Sequence, residues 1–110
     1  MSPSSLESRQ RRVELFERYA ALLTEQQRGV LELSLRDDWS LSEIAQSRDT
    51  SRAAVHDMIQ RATQAMEDYE GRLGLLAADR RRREVRTALV GELADIRRRL
   101  VRLEQEVARV

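Results

Sequence analysis

In DDWSLSEIAQSRDTSRAAVHDMIQ, Asp37 to Gln60, two helix starts stand on either side of one short turn, and that arrangement leaves the rest of the fold little freedom. Ser40 and Glu43 form a capping box ahead of Leu41, Ile44 and Ala45. The serine hydroxyl can accept from the Glu43 amide while the Glu43 carboxylate reaches back to the amide of Ser40. Ser51 is placed to cap a second helix that carries Val55 and Ile59. Between them Asp49 is the residue best suited to an unusual turn conformation, because short polar side chains tolerate the left-handed region. Ile44, Ala45, Val55 and Ile59 can fill the angle between the two helices, which is the grammar of a helix-turn-helix. The same four residues also suit the core of a plain helical bundle, and the two readings are compatible.

The flanking sequence extends this into an all-α chain. Met1 to Ser5, with Pro3, reads as a tail. From Leu6 a helix carries Val13, Phe16, Ala20 and Leu23 on one face. Thr24 and Gln27 make another capping box, ahead of a helix with Val30, Leu31 and Leu35 inward. After Ser51 the apolar stripe continues through Val55, Ile59, Ala62, Met66, Tyr69, Leu73 and Leu76, which is longer than a three-helix core can cover, so its later half should meet another helix. Gly71 and Gly74 weaken the case for one straight helix, and Ala77 to Glu84 reads as a bend or a solvated helical connector. Phe16 and Trp39 read as core anchors, Tyr19 and Tyr69 as residues bordering helix contacts with their hydroxyls outward. The expected organisation is a helix-turn-helix domain over residues 6–76, then an arginine-rich connector and an amphipathic or coiled-coil helix over residues 77–110.

Beyond the connector, Leu89, Leu93, Ile96, Leu100, Leu103, Val107 and Val110 fall on the core positions of a heptad repeat without a slip. Glu92, Arg99 and Glu106 then precede core positions, and Arg97 and Glu104 follow them. A parallel second copy would set Glu92 against Arg97 and Arg99 against Glu104, both attractive. Two readings fit these seven residues. Either they form a homodimer seam, or the segment folds back onto the stripes of residues 13–23 or 66–76 in its own chain.

Charge separates the two parts. All 20 cationic side chains are arginine, against 19 acids. Residues 24–76 hold six arginines and ten acids, a formal −4, whereas residues 77–110 hold ten arginines and six acids, a formal +4. The helix-turn-helix therefore repels a polyanion overall, and the tail attracts one. Arg80, Arg81, Arg82, Arg83 and Arg86 are the candidate phosphate-binding cluster; their other reading is solvated helix surface, partly paired with Asp79 and Glu84. On the motif, Arg48, Arg52, His56, Asp57, Gln60 and Arg61 are the candidate surface, with Arg52 or Gln60 able to reach base edges and Arg48 or Arg61 phosphates.

Other chemistries find little material. Without cysteine and with His56 as the single histidine, there are no thiolate ligands and too few imidazoles for a zinc or iron site, so no metal and no cofactor are expected. No glycine-rich phosphate loop and no nucleophile paired with a base is written in the chain, so no catalytic residue is assigned and an enzyme is not expected. Asp37 and Asp38 supply too few ligands for a cation. No apolar run is long enough to span a bilayer, residues 1–20 lack an apolar signal core, and a cytoplasmic protein without membrane insertion is expected.

The run LLTEQQRGVLELSLRDDWSLSEIAQSRDTSRAAVHDMIQRA, Leu22 to Ala62, resembles the C-terminal helix-turn-helix domain of bacterial sigma factors. With DDWSLSEIA, SRAAVHDMI and the tail EDYEGRLGLL, residues 13–76 more closely resemble the YlxM family of small helix-turn-helix proteins. That resemblance implies a bacterial cytoplasmic protein connected with the signal recognition particle, whose GTPase, receptor or RNA become candidate partners. It places Ser40, Leu41, Glu43, Ile44 and Ala45 on the positioning helix and Ser51, Arg52, Ala54, Val55 and Asp57 at the start of the reading helix. Asp49 and Thr50 stand where sigma-like turns commonly carry Gly-Val. Two functions remain: a noncatalytic adaptor or regulator working through protein and RNA contacts, favoured by the acidity of the motif, and a DNA-binding transcriptional regulator, favoured by its grammar.

Overall fold

A computed structural model describes residues 4–110, and their side chains from residue 6. Among them the secondary structure is helical throughout: α1 is Ser4–Tyr19, followed by a 3-10 turn Ala20–Leu22; α2 is Glu25–Leu35, α3 Leu41–Ser47, α4 Arg52–Leu73 and α5 Leu75–Ala108. The all-α expectation holds. Of the expected tail, Met1 to Pro3 lie outside the described residues, and Ser4 and Ser5 already belong to α1. The chain divides into two units, one ending at Leu76 and the other spanning Ala77–Val110.

In the first unit, α4 carries Val55, Ile59, Ala62 and Met66 into a core shared with Leu15, Phe16, Tyr19, Leu23, Val30, Leu31, Leu35, Ile44 and Ala45. The face of α1 is not quite the one its spacing predicts. Leu15 and Tyr19 are fully buried, whereas Val13 and Ala20 are only half-buried. After Tyr19 the chain tightens into the 3-10 turn, sealed by the Leu23 amide donating to the Ala20 carbonyl at 3.1 Å, and Leu23 is buried beyond it.

Tyr19 is also a correction in its polar atom. It is 1% exposed, and its hydroxyl points inward, donating to Glu70 Oε1 at 2.5 Å and accepting from the Leu75 amide at 3.3 Å. Glu70 Oε1 also accepts from the Leu76 amide at 2.9 Å, so one carboxylate satisfies both a buried phenol and an otherwise unpaired donor at the start of α5. Tyr69 packs at 6.1 Å from the Tyr19 ring and donates to the Leu22 carbonyl at 3.3 Å. Phe16 is buried as expected, with the Arg36 guanidinium 5.4 Å from its ring centre, but Trp39 is 37% exposed and anchors no core.

The long stripe is broken where glycine permits it. Gly74 takes φ 61°, its amide donates to the Glu70 carbonyl at 2.8 Å, and α4 ends. Leu73 is consequently exposed, while Leu76 reaches the core from the next helix. The later half of α4 does meet another helix, namely α1. Arg11 clasps Glu67 there through Nε–Oε2 at 3.2 Å and Nη2–Oε1 at 2.9 Å.

The second unit is the remainder of α5. Its Ala, Leu, Arg and Glu content favours helix, and exposed pairs at helical spacing support it, Arg82 with Asp79 at 2.8 Å and Arg99 with Asp95 at 3.1 Å. Ala77 to Glu84 is helical, not a bend. Val110 lies past the end of the helix, so six of the seven heptad residues are on it. Among the described residues no helix is long and apolar enough to cross a membrane.

Candidate functional site

The helix-turn-helix is built by caps. At Thr24 the hydroxyl accepts from the Gln27 amide at 3.2 Å and the Thr24 amide donates to Gln27 Oε1 at 3.1 Å. Ser40 and Glu43 repeat the pattern at 3.1 and 2.9 Å, and the bond from the Ser40 backbone holds the Glu43 carboxyl below its ordinary pKa. Ser51 Oγ accepts from the Ala54 amide at 3.0 Å and starts α4. Each cap fixes where its helix begins, which aims α4 relative to α3.

The turn itself is a Schellman closure of α3. The Thr50 amide donates to the Ala45 carbonyl at 2.9 Å, the Asp49 amide to the Gln46 carbonyl at 3.3 Å, and Asp49 takes the left-handed conformation at φ 53°. Asp38, at φ 58°, does the same in the loop between α2 and α3. Arg9 stabilises that corner, donating to the Leu35 carbonyl and to Asp38 Oδ1, both at 3.3 Å. Ile44 and Val55 are fully buried in the angle between α3 and α4.

The exposed face at the start of α4 carries Arg52, His56, Asp57, Gln60 and Arg61, as the spacing predicts. Of the three arginines assigned to the motif surface, one is ion-paired with a described residue. Arg61 Nε lies 3.0 Å from Asp57 Oδ2. Arg48 reaches α2, where a Cβ at Gly29 would fall 2.5 Å from Arg48 Nη2, so the guanidinium lies close over that glycine. Arg52 makes no ion pair with any described residue. His56 and Gln60 approach each other at 3.5 Å. Elsewhere on the motif, Arg28 donates to the carbonyls of Ala20 and Leu23 at 3.2 Å, and Arg36 sits beside Glu32 at 3.6 Å. The motif can therefore offer the guanidiniums of Arg52 and Arg48, neither ion-paired with a described residue, the polar side chains of His56 and Gln60, and an exposed Arg-Asp pair.

On the second unit, Arg80, Arg81, Arg82, Arg83 and Arg86 are all exposed. Arg82 is tied to Asp79, whereas Arg81, Arg83 and Arg86 make no ion pair with a described residue. Farther along, Leu89, Leu93, Ile96, Leu100 and Leu103 are 50–60% exposed, and Val107 more so.

This succession of capped helices matches, over residues 6–107, the family described as "UPF0122: Putative helix-turn-helix protein, YlxM / p13 like". The chain belongs to this family. Among its relatives, a UPF0122 protein of Halalkalibacterium halodurans is 48% identical over 71 residues, 64% of this chain and 65% of its own length. One of Geobacillus kaustophilus is 45% identical over 80 residues, 73% of each chain. One of Streptococcus mutans is 54% identical over 59 residues, 54% of each. The matched stretch thus spans less than two thirds of two of these three relatives. The matched range takes in α5 to Val107 as well as the motif.

The residue that sequence reasoning missed is Glu70. It is separated from Tyr19 by 51 positions, and no local pattern announces a carboxylate that caps the following helix while it holds a buried phenol.

Proposed function

We propose that the chain is a noncatalytic adaptor or regulator that uses its helix-turn-helix as a protein-docking framework, with the signal recognition particle as the system to which the YlxM resemblance points. Its partners in that reading are the particle's GTPase, its receptor or its RNA. The observation that carries the proposal is the charge balance of the motif. Arg61 shares its charge with Asp57 in an exposed pair, and the whole region from residue 24 to 76 sets six arginines against ten acids, a formal charge of −4. Non-specific duplex affinity arises from basic groups displacing counterions, and an excess of acids over arginines on the motif opposes it. An acidic helical surface suits a basic protein domain, while Arg81, Arg83 and Arg86 on α5 offer charge to structured RNA.

Affinity purification of the tagged chain, with and without nuclease, tests this. Enrichment of the particle's GTPase, receptor or RNA is expected, and a preparation that never enriches any of them removes the partner assignment. The DNA-binding reading has one specific observation in its favour, the exposed and unpaired Arg52 on the first turn of α4. Titration against duplex DNA across salt concentrations separates the two. Sequence-selective binding that Arg52→Ala weakens about 10-fold or more would establish the second reading, and absence of duplex binding at low salt would eliminate it.

A further inference from the structure

The apolar face of α5 from Leu89 to Val107 has the periodicity of a core and the exposure of a surface. We infer that it is the seam of a parallel, in-register pairing with a second copy of this chain. Six apolar residues at alternating four- and three-residue spacing run along about 27 Å of helix, at 1.5 Å per residue. Soluble proteins seldom leave so regular a stripe in water without a partner.

Charge selects the occupant and its direction. In a parallel pair, Glu92 meets Arg97 of the other copy and Arg99 meets Glu104. Glu92, Arg97 and Glu104 make no ion pair with any described residue of their own chain, so they are available for this. Arg99 is held by an exposed pair with Asp95, an arrangement weak enough to share or exchange. An antiparallel pair that keeps all six layers, Leu89 opposite Val107 and Ile96 opposite Leu100, does the reverse. It faces Arg97 with Arg97, Arg99 with Arg99 and Glu92 with Glu106. Sliding that pair by one heptad, to put Leu100 opposite Leu103, restores attraction but leaves Leu89 with nothing to face and brings in Val110, which is past the end of the helix.

The arginines fix where the seam begins. Continuing the heptad towards the N-terminus, its core positions become Arg86 and Arg82. In a parallel pair these meet their own counterparts, and like charges at core positions part the helices upstream of Leu89. The two arginine clusters consequently flank the opening of the seam, side by side. This inference rests on α5 alone and stands whichever partner the helix-turn-helix binds.

The native chain has no cysteine, which makes a single introduced thiol an unambiguous reporter. In the parallel register Leu89→Cys faces its counterpart within disulfide range, whereas the six-layer antiparallel register separates the two thiols by 18 residues, about 27 Å along the axis. Sedimentation of the full chain at high micromolar concentration is expected to give a dimer, and mild oxidation of Leu89→Cys a covalent dimer. Leu100→Asp, at a site exposed in the single chain, is expected to weaken association about a thousandfold or more while the helical signal of the first unit persists. Arg97→Glu should weaken it about 10-fold, and Glu92→Arg with Arg97→Glu should restore it. A wild-type monomer, an assembly of three or more chains, or a dimer of the Leu89→Cys variant whose introduced thiols stay reduced each overturns the parallel two-copy seam.

Discussion

The helices α4 and α5 carry apolar stripes of the same grammar and end in opposite situations. Val55, Ile59, Ala62 and Met66 of α4 are buried, while Leu89, Leu93, Ile96, Leu100 and Leu103 of α5 remain at least half exposed. Periodicity fixes which face of a helix is apolar, and it is silent on what covers that face. On α4 the answer lies in the caps: Thr24, Ser40 and Ser51 start three helices where each can turn against the next. The α5 segment has no such punctuation between Gly74 and Ala108, and its stripe stays exposed.

The sharpest way to break that contrast is to remove equal amounts of apolar side chain from each. Ile44→Ala empties a fully buried site at the α3–α4 angle and is expected to cost the first unit about 2–5 kcal/mol in urea unfolding. Leu100→Ala, in protein dilute enough to be monomeric, is expected to change that transition by less than about 0.5 kcal/mol. Comparable losses from both would mean that the α5 stripe is covered within its own chain, and the distinction between the two helices would collapse.

A smaller effect is expected at the Tyr19–Glu70 junction, where α4 gives way to α5. Tyr19→Phe deletes a hydroxyl that donates to Glu70 and accepts from Leu75, and should cost about 1–3 kcal/mol. Burial, and secondarily the hydrogen bond to Glu70, raises the Tyr19 pKa. The folded state therefore holds the phenolic proton more tightly than the unfolded chain does. Its stabilisation is complete below the ordinary phenol pKa of about 10 and fades as pH rises through the higher folded value. Unfolding curves of wild type and Tyr19→Phe across the alkaline range should accordingly converge. If the gap between them is independent of pH, the buried phenol is not the titrating group.

How much of this was legible follows from how local each signal is. All three caps, the Asp49 turn and the inward residues of α2, α3 and the first turns of α4 could be read, because each depends on neighbours within one or two turns. Tyr19 could not. A tyrosine at the edge of a stripe is normally amphipathic, and only Glu70, brought in from α4, makes an inward hydroxyl tolerable. Trp39 failed for the converse reason: its size suggested a core, yet it stands in the loop between α2 and α3, 37% exposed. The arginines were legible as charge but not as assignments. Arg28 caps carbonyls, Arg36 covers Phe16 and Arg48 lies over Gly29, uses that depend on tertiary neighbours and that change which cations a ligand can reach.

The smallest expected effect concerns the turn that both regions of the motif share. Asp49 occupies the left-handed position of the α3 closure, where a side chain meets its own backbone and glycine does not. Asp49→Gly relieves that contact at the expense of a more flexible unfolded chain, so the net gain should be about 0.5 kcal/mol, and Asp49→Ala should lose about 1 kcal/mol. Asp38→Gly sharpens the comparison, because Asp38 has the same backbone conformation but also accepts from Arg9. Relief of strain and loss of an exposed ion pair oppose each other there, and the gain should be smaller than at position 49. Thermal unfolding of the three variants checks the order. If Asp49→Gly instead destabilises, the aspartate contributes more to the turn than its tolerance of the left-handed region, and the Gly-Val of sigma-like turns would not be an equivalent solution for this chain.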